Sequence, residues 1–122
     1  MILFNMTELL KYRNLSSKLY EGTVNAAEID NKDDPIDVGP FKEATFFLDC
    51  SAFVGTNVTV KIYTKDPAAD AWHEIAAFTV LTAAGNEMKA VTANLGDKIA
   101  YVITPTGAGD KTLTISANFK IM

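Results

Sequence analysis

Two apolar runs, Val58–Ile62 and Trp72–Val80, flank the turn-rich insert Asp66-Pro67-Ala68-Ala69-Asp70-Ala71. In the first run Val58, Val60 and Ile62 alternate with Thr59, Lys61 and Tyr63. Successive side chains on a strand point to opposite faces, so this spacing gives one greasy face and one wet face. Proline and aspartate between the runs suit a turn, because proline pre-sets φ and aspartate bonds its own backbone. The stretch therefore reads as a hairpin whose apolar face needs a second layer to cover it. Trp72 and Ile75 have opposite parity, so a strand that turned both inward would need a bulge near His73–Glu74.

The same pattern recurs along the chain. Ala44, Phe46, Leu48 and Cys50 alternate after Pro40. Ile99, Tyr101 and Ile103 alternate up to Pro105, and Leu113, Ile115, Ala117, Phe119 and Ile121 give the cleanest series. Leu19–Ala27 reads as a weak strand broken by Gly22, and Met88–Ala93 as a further strand. Turn residues separate them at Asp30–Pro35, Thr82–Asn86, Leu95–Asp97 and Thr106–Lys111. Short strands every dozen or so residues predict an all-β protein, an antiparallel β-sandwich of jelly-roll-like topology. The predicted division is an N-terminal arm, residues 1–20, and a sandwich domain, residues 21–122.

A chain of 122 residues suits one domain, and 48% hydrophobic against 21% charged residues excludes a disordered polymer. The net charge of −4 speaks against nucleic-acid binding, which needs a basic surface to displace counterions from phosphates. Charge is uneven: Lys11, Arg13 and Lys18 outweigh Glu8 in residues 1–20, while residues 21–50 carry eight acids against Lys32 and Lys42. The single cysteine, Cys50, has no partner for an intrachain disulfide, and its place in an apolar alternation predicts a buried thiol. No apolar run approaches the ~20 residues of a membrane span. Met1-Ile2-Leu3-Phe4 has no basic lead, which predicts a protein not exported by itself, assembled in a cytoplasm, with no membrane partner.

The arm is the least regular part. Thr7–Arg13 has the makings of a short helix, with Thr7 as N-cap and Met6, Leu9 and Leu10 on one face. Ile2, Leu3, Phe4, Met6, Leu9, Leu10 and Leu15 are more apolar than a free tail should be. The arm either lies on its own domain or binds a partner, and the eight candidate partner-binding residues are Ile2, Leu3, Phe4, Met6, Leu9, Leu10, Tyr12 and Arg13.

No motif carries chemistry. Asp30–Pro35 has a superficial likeness to a calcium loop, but Lys32 sits at a ligand position, Pro35 replaces the needed glycine, and Phe41 stands where a glutamate belongs. Gly107-Ala108-Gly109-Asp110-Lys111-Thr112 misses the phosphate-loop spacing and precedes a strand rather than a helix. His73 is the only histidine, so neither a zinc site nor a hydrolase relay has a set of partners. Asp66, Asp70 and Glu74 are close in sequence and read as a solvated turn. No cofactor and no catalytic residue is expected. Trp72, Tyr63 and Tyr101 would serve as a sugar-stacking platform if they shared a face; otherwise they pack the sheets.

Three features carry a family resemblance. Asp37-Val38-Gly39-Pro40-Phe41 leads into an apolar strand; Val58-Thr59-Val60-Lys61-Ile62 runs into a D-P-x-x-D-x-W turn followed by Ile75, Phe78, Thr82 and Gly85; and Ile99-Ala100-Tyr101-Val102 precedes a Thr/Gly-rich turn and a Thr-Leu-Thr-Ile-Ser strand. Residues 23–122 on these grounds resemble small all-β proteins encoded among the structural genes of tailed bacteriophages. The resemblance implies a non-enzymatic virion component such as a head decoration protein, on the outer surface of a capsid. Its expected partners are the major capsid protein and neighbouring copies. A homotrimer is one arrangement that symmetric shells allow, and the sequence itself does not show it. The alternative is a carbohydrate-binding module on a tail or head fibre.

Overall fold

The computed structural model describes residues 14–121. They form nine strands and no helix: β1 (Asn14–Val24), β2 (Ile29–Asp30), β3 (Ile36–Asp37), β4 (Glu43–Phe53), β5 (Asn57–Lys65), β6 (Trp72–Ala77), β7 (Gly85–Val91), β8 (Lys98–Thr106) and β9 (Lys111–Lys120). One sheet has the order β1-β9-β4-β7 and the other β2-β8-β5-β6, with β3 also paired to β8. All pairings are antiparallel.

β2 and β3 lie along the same side of β8, Ile29 opposite Ile103 and Ile36 opposite Ile99, so they are two halves of one interrupted strand. With that strand counted once, the ladder is nested. β5 pairs β6, β4 pairs β7, β2/β3 pairs β8, and β1 pairs β9, alternately in one sheet and the other. A long hairpin rolled up in this way is the jelly roll, and the expected fold is the one observed. The hairpin's tip is the Asp66–Ala71 turn, where the Asp66 N–H donates to Ala71 O at 2.9 Å.

The core lies between the sheets. Ala44, Phe46, Leu48 and Cys50 on β4, and Leu113, Ile115, Ala117 and Phe119 on β9, face Val58, Val60 and Ile62 on β5 and Ile99 and Ile103 on β8. All are buried. Each large apolar side chain contributes about 1.5–3 kcal/mol before the entropy of ordering it is subtracted. Phe119 joins two rings, Phe46 edge-on at 6.1 Å and Phe41 tilted at 5.3 Å.

The first strand departs from expectation. β1 begins at Asn14, so residues 14–20, assigned from sequence to the arm, belong to the sandwich. The alternation there is masked by a bulge between Lys18 and Tyr20. Leu15 and Ser17 face inward before it and Tyr20, Gly22 and Val24 after it, so the period-two signal changes phase mid-strand. Gly22 does not break the strand: a Cβ there would fall 2.7 Å from the Tyr20 hydroxyl, so the glycine makes room for the ring. Tyr20 in turn stacks at 5.4 Å on Tyr101.

Lys111 is the one charged side chain among the buried residues, at 0% exposure. Its ammonium donates to three backbone oxygens, Gly107 O at 2.7 Å, Asn25 O at 2.9 Å and Gly109 O at 3.0 Å, and lies 5.9 Å from the centre of the Phe53 ring. All three ammonium hydrogens are used, which a buried cation requires. Gly55, at φ +129°, makes the space: a Cβ there would come 2.6 Å from the Lys111 Nζ. Lys111→Met keeps the stem and leaves three carbonyls without a donor. It should lower the unfolding free energy by at least about 2 kcal/mol, read as a shift of the urea midpoint at unchanged slope; an unshifted midpoint would mean that water replaces the ammonium.

Candidate functional site

The eight arm residues singled out from sequence, and the short helix over Thr7–Arg13, lie outside the described residues. The other candidates can be placed, and the fold scatters them.

Tyr63 and Trp72 sit on the outer face of the β2-β8-β5-β6 sheet, because Tyr63 pairs with Glu74 and Lys65 with Trp72. Tyr101 pairs with Ile62 and points between the sheets. The bulge on β6 falls at Ile75, skipped between Glu74 and Ala76 in the pairing with β5. It turns Ile75 toward the core and leaves Trp72 outside, so the two are not inward together. A three-ring platform therefore does not exist. The two outer rings are partly buried and each carries an ammonium, Lys32 at 5.0 Å from the Tyr63 centroid and Lys65 at 5.8 Å from that of Trp72, within the ~6 Å of cation–π attraction.

The acids of the hairpin tip are each engaged locally. Asp66 accepts the Ala68 N–H at 2.8 Å, Asp70 lies 3.6 Å from the Lys65 ammonium, and Glu74 lies 3.2 Å from that of Lys61. The hydrogen bond and charge of Glu74 raise the Lys61 pKa. Asp66, Asp70, Asp97, Lys65 and Lys98 border an open groove of about 530 Å³. Among the described residues no group of three His, Cys, Asp or Glu side chains is arranged to hold a metal ion. His73 is exposed, opposite Thr64.

The Asp30–Pro35 loop has other work. It fills the break between β2 and β3, where Asn31 Oδ1 accepts the Tyr101 N–H at 2.8 Å and Asp30 Oδ1 accepts the Lys32 N–H at 3.0 Å. The Gly107–Lys111 loop has the wrong polarity for phosphate. Its carbonyls converge on the Lys111 ammonium, whereas an anion needs converging N–H groups. Cys50 is 2% exposed and donates to Ala52 O at 3.3 Å. Burial pushes its thiol pKa up, the hydrogen bond to Ala52 O offsets part of this and the Asp49 charge adds to it; the net rise is the opposite of what a nucleophile needs.

Sequence reasoning missed a surface. Phe46 and Phe47 are adjacent on β4; Phe46 is buried and Phe47 faces out, opposite Met88 on β7. Met88 is 66% exposed. These two, with Asp49 and Asn86, border a shallow groove of about 420 Å³ on the outer face of the β1-β9-β4-β7 sheet. The signal was the consecutive phenylalanines, one of which had to face out.

No protein-family description matches the chain, and no curated protein does. Solved structures match at the level of the fold. A subunit from work on Bacillus endospore appendages, described as disulfide-linked pili, aligns with a TM-score of 0.57 and 12% identity over 89% of both chains. The PBSX exported protein XepA aligns with a TM-score of 0.65 and 9% identity over 87% of this chain, which spans 37% of that one. At these identities the likeness is one of architecture.

The half-buried tyrosine pair gives a pH test. Burial raises the pKa of Tyr20, and burial, then the charges of Tyr20, Asp30 and Asp34, raise that of Tyr101. Above the ordinary value near 10 the unfolded chain has lost these protons while the folded chain keeps them, so stability falls as pH rises through that range. Tyr20→Phe and Tyr101→Phe should each flatten the alkaline loss of stability, measured by urea unfolding at a series of pH values. Tyrosinate absorbance at 295 nm should show two late-titrating residues in the native protein.

Proposed function

We propose that this chain is a non-enzymatic virion structural protein. It decorates or cements a capsid, binding the major capsid protein and neighbouring copies through its N-terminal arm and the edges of its sandwich. One observation carries this reading. Asp66, Asp70 and Glu74 each meet a local partner and Cys50 is buried, in a jelly roll whose chain continues into an apolar arm. The resemblance of residues 23–122 to tailed-phage structural proteins supports it.

Energetically the arm suffices. Ile2, Leu3, Phe4, Met6, Leu9 and Leu10 would each contribute about 1.5–3 kcal/mol on burial, less the cost of ordering them. On a shell, many copies of a modest contact gain by effective concentration. A trimer is one symmetric arrangement that brings arms and edges together. The edges available are β1 and β7 in one sheet and β2/β3 and β6 in the other. Linkage of the kind reported for the endospore pili has no counterpart in the described residues, because Cys50 is buried.

Carbohydrate binding on a fibre is the second reading, favoured only by Tyr63 and Trp72 sharing a face. A stacked sugar would have to displace Lys32 and Lys65. Trp72 emission should therefore not respond to glycans, and a saturable response would revive that reading.

Full-length protein with Leu3→Asp and Phe4→Asp should stay folded by circular dichroism. It should lose its place on purified particles, with occupancy per shell subunit falling at least tenfold. A shorter chain starting at Asn14 should behave alike; removing residues beyond 13 would cut into β1. Wild-type occupancy for both variants would reject the role of the arm.

A further inference from the structure

The outward face of the β1-β9-β4-β7 sheet is hydroxyl- and amide-rich. Ser16 bonds Asn118 across the β1–β9 pair at 2.6 Å, Thr23 lies 3.3 Å from Thr112, and Ser116 stands opposite Phe47. The apolar exception is Phe47 with Met88, at the β7 margin. An exposed methionine beside an aromatic ring is an adaptable apolar surface. Asp49, exposed, stands at its rim.

We infer that the Phe47–Met88 groove receives the apolar segment Ile2–Phe4 of a second copy of this chain. The inference rests on the proposed role of the arm and names where the arm goes between copies. Three observations support a second copy as the occupant. Residues 1–13 are an apolar segment with Lys11 and Arg13 against Glu8, while the rest of the chain holds −5 of the total −4. An apolar segment of net positive charge thus meets an apolar groove on a net negative body. That segment leaves from Asn14, which pairs with Lys120, itself opposite Glu43. Phe4 lies ten residues before Asn14, so it can reach up to roughly 33–36 Å from there if extended, enough to cross to a neighbour. Finally, β1 and β7 are opposite margins of the sheet. In its own copy the arm would have to cross the outward hydroxyls and amide of β9, laying apolar side chains over Ser116 and Asn118. A neighbour's groove, at a free margin, is open to direct approach.

Such a contact is heterologous: arm of one copy, groove of the next. It closes into a ring or continues as an array according to the rotation between copies.

The test mixes two full-length variants carrying different tags, Phe4→Cys in one and Met88→Cys in the other, under mild oxidation. Cys50 is buried and does not compete. A disulfide-linked heterodimer, several-fold in excess of either variant's self-product, is expected. The double variant F4C/M88C that gives only an intrachain bond would place the arm on its own copy and overturn the inference. So would the absence of a heterodimer. Met88→Asp, at a site 66% exposed, should fold normally and weaken self-association at least tenfold in sedimentation; unchanged self-association overturns the inference as well. Loss of particle occupancy in the arm variants without any heterodimer would reject this groove and leave the decoration role standing. A heterodimer from a protein never found on particles would do the reverse.

Discussion

Everything in this molecule depends on one face of each long strand being apolar and on two such faces meeting. A single sheet with that pattern would leave a greasy side in water. Two sheets bury it, and the right-handed twist of strands lets the inner faces interlock as a sandwich. Nesting follows from the hairpin at Asp66–Ala71. Once β5 and β6 pair, the strands flanking them are brought together as β4 with β7, then β2/β3 with β8, and last β1 with β9. The outermost pair joins Asn14 to Lys120, nearly the whole chain apart. The cross-links β4–β9 and β5–β8 stitch the roll shut and carry the most deeply buried residues, Phe46, Leu48, Ile62, Ile99, Ile103 and Ile115.

The two ends of the roll differ. At one end the loops and strand ends carry Asp66, Asp70, Asp97, Lys98 and Lys120, and the chain enters there at β1. At the other end Asn25, Val54, Val80 and Ala108 lie in loops of mostly small, uncharged residues, and Lys111 ties two of them, at Asn25 and at Gly107–Gly109, together from inside. A hydrophobic side chain could fill the space of the lysine but could not satisfy those carbonyls, and loops pulled inward present carbonyls that water no longer reaches. The ammonium solves a backbone problem, which explains a buried charge with no carboxylate beside it. At the sandwich margin Glu87 does the mirror task, accepting the Thr79 N–H of the loop that follows β6 at 3.1 and 3.2 Å.

The architecture was readable because period-two alternation survives wherever a strand is regular. It marked β4, β5, β8 and β9 with the correct inward residues. It failed at irregularities. The bulge at Lys18–Tyr20 reverses parity, so β1 looked shorter than it is and part of it was read as arm. The opposite parity of Trp72 and Ile75 requires a bulge near His73–Glu74 only if both face inward; the bulge lies one position on, at Ile75, and frees Ile75 to turn in while Trp72 stays out. Lys111 was unreadable as a buried residue, since lysine is almost never fully buried and the three carbonyls that hold it are backbone groups from two loops. The Tyr63–Trp72–Tyr101 grouping came from residue type alone, and neighbouring strands put Tyr101 on the other face. The eight arm residues lie beyond the described part of the fold, so for them sequence remains the source.

Rigidity and function connect through where the polar groups are used. A catalytic site needs groups held against their preference: desolvated acids, thiols of lowered pKa, donors aimed at empty space. Here the reverse holds among the described residues. The shifted tyrosines and Cys50 shift toward their neutral forms, and buried side-chain nitrogen and oxygen atoms all have partners. These groups are satisfied within the fold, beneath its outer surface. What distinguishes one part of that surface from another is then shape and apolarity. On the β1-β9-β4-β7 face the apolar part is concentrated at Phe47 and Met88, at the free margin of the sheet. The proposed role, that of a protein held in place, needs a fold that does not yield and a few points that adhere.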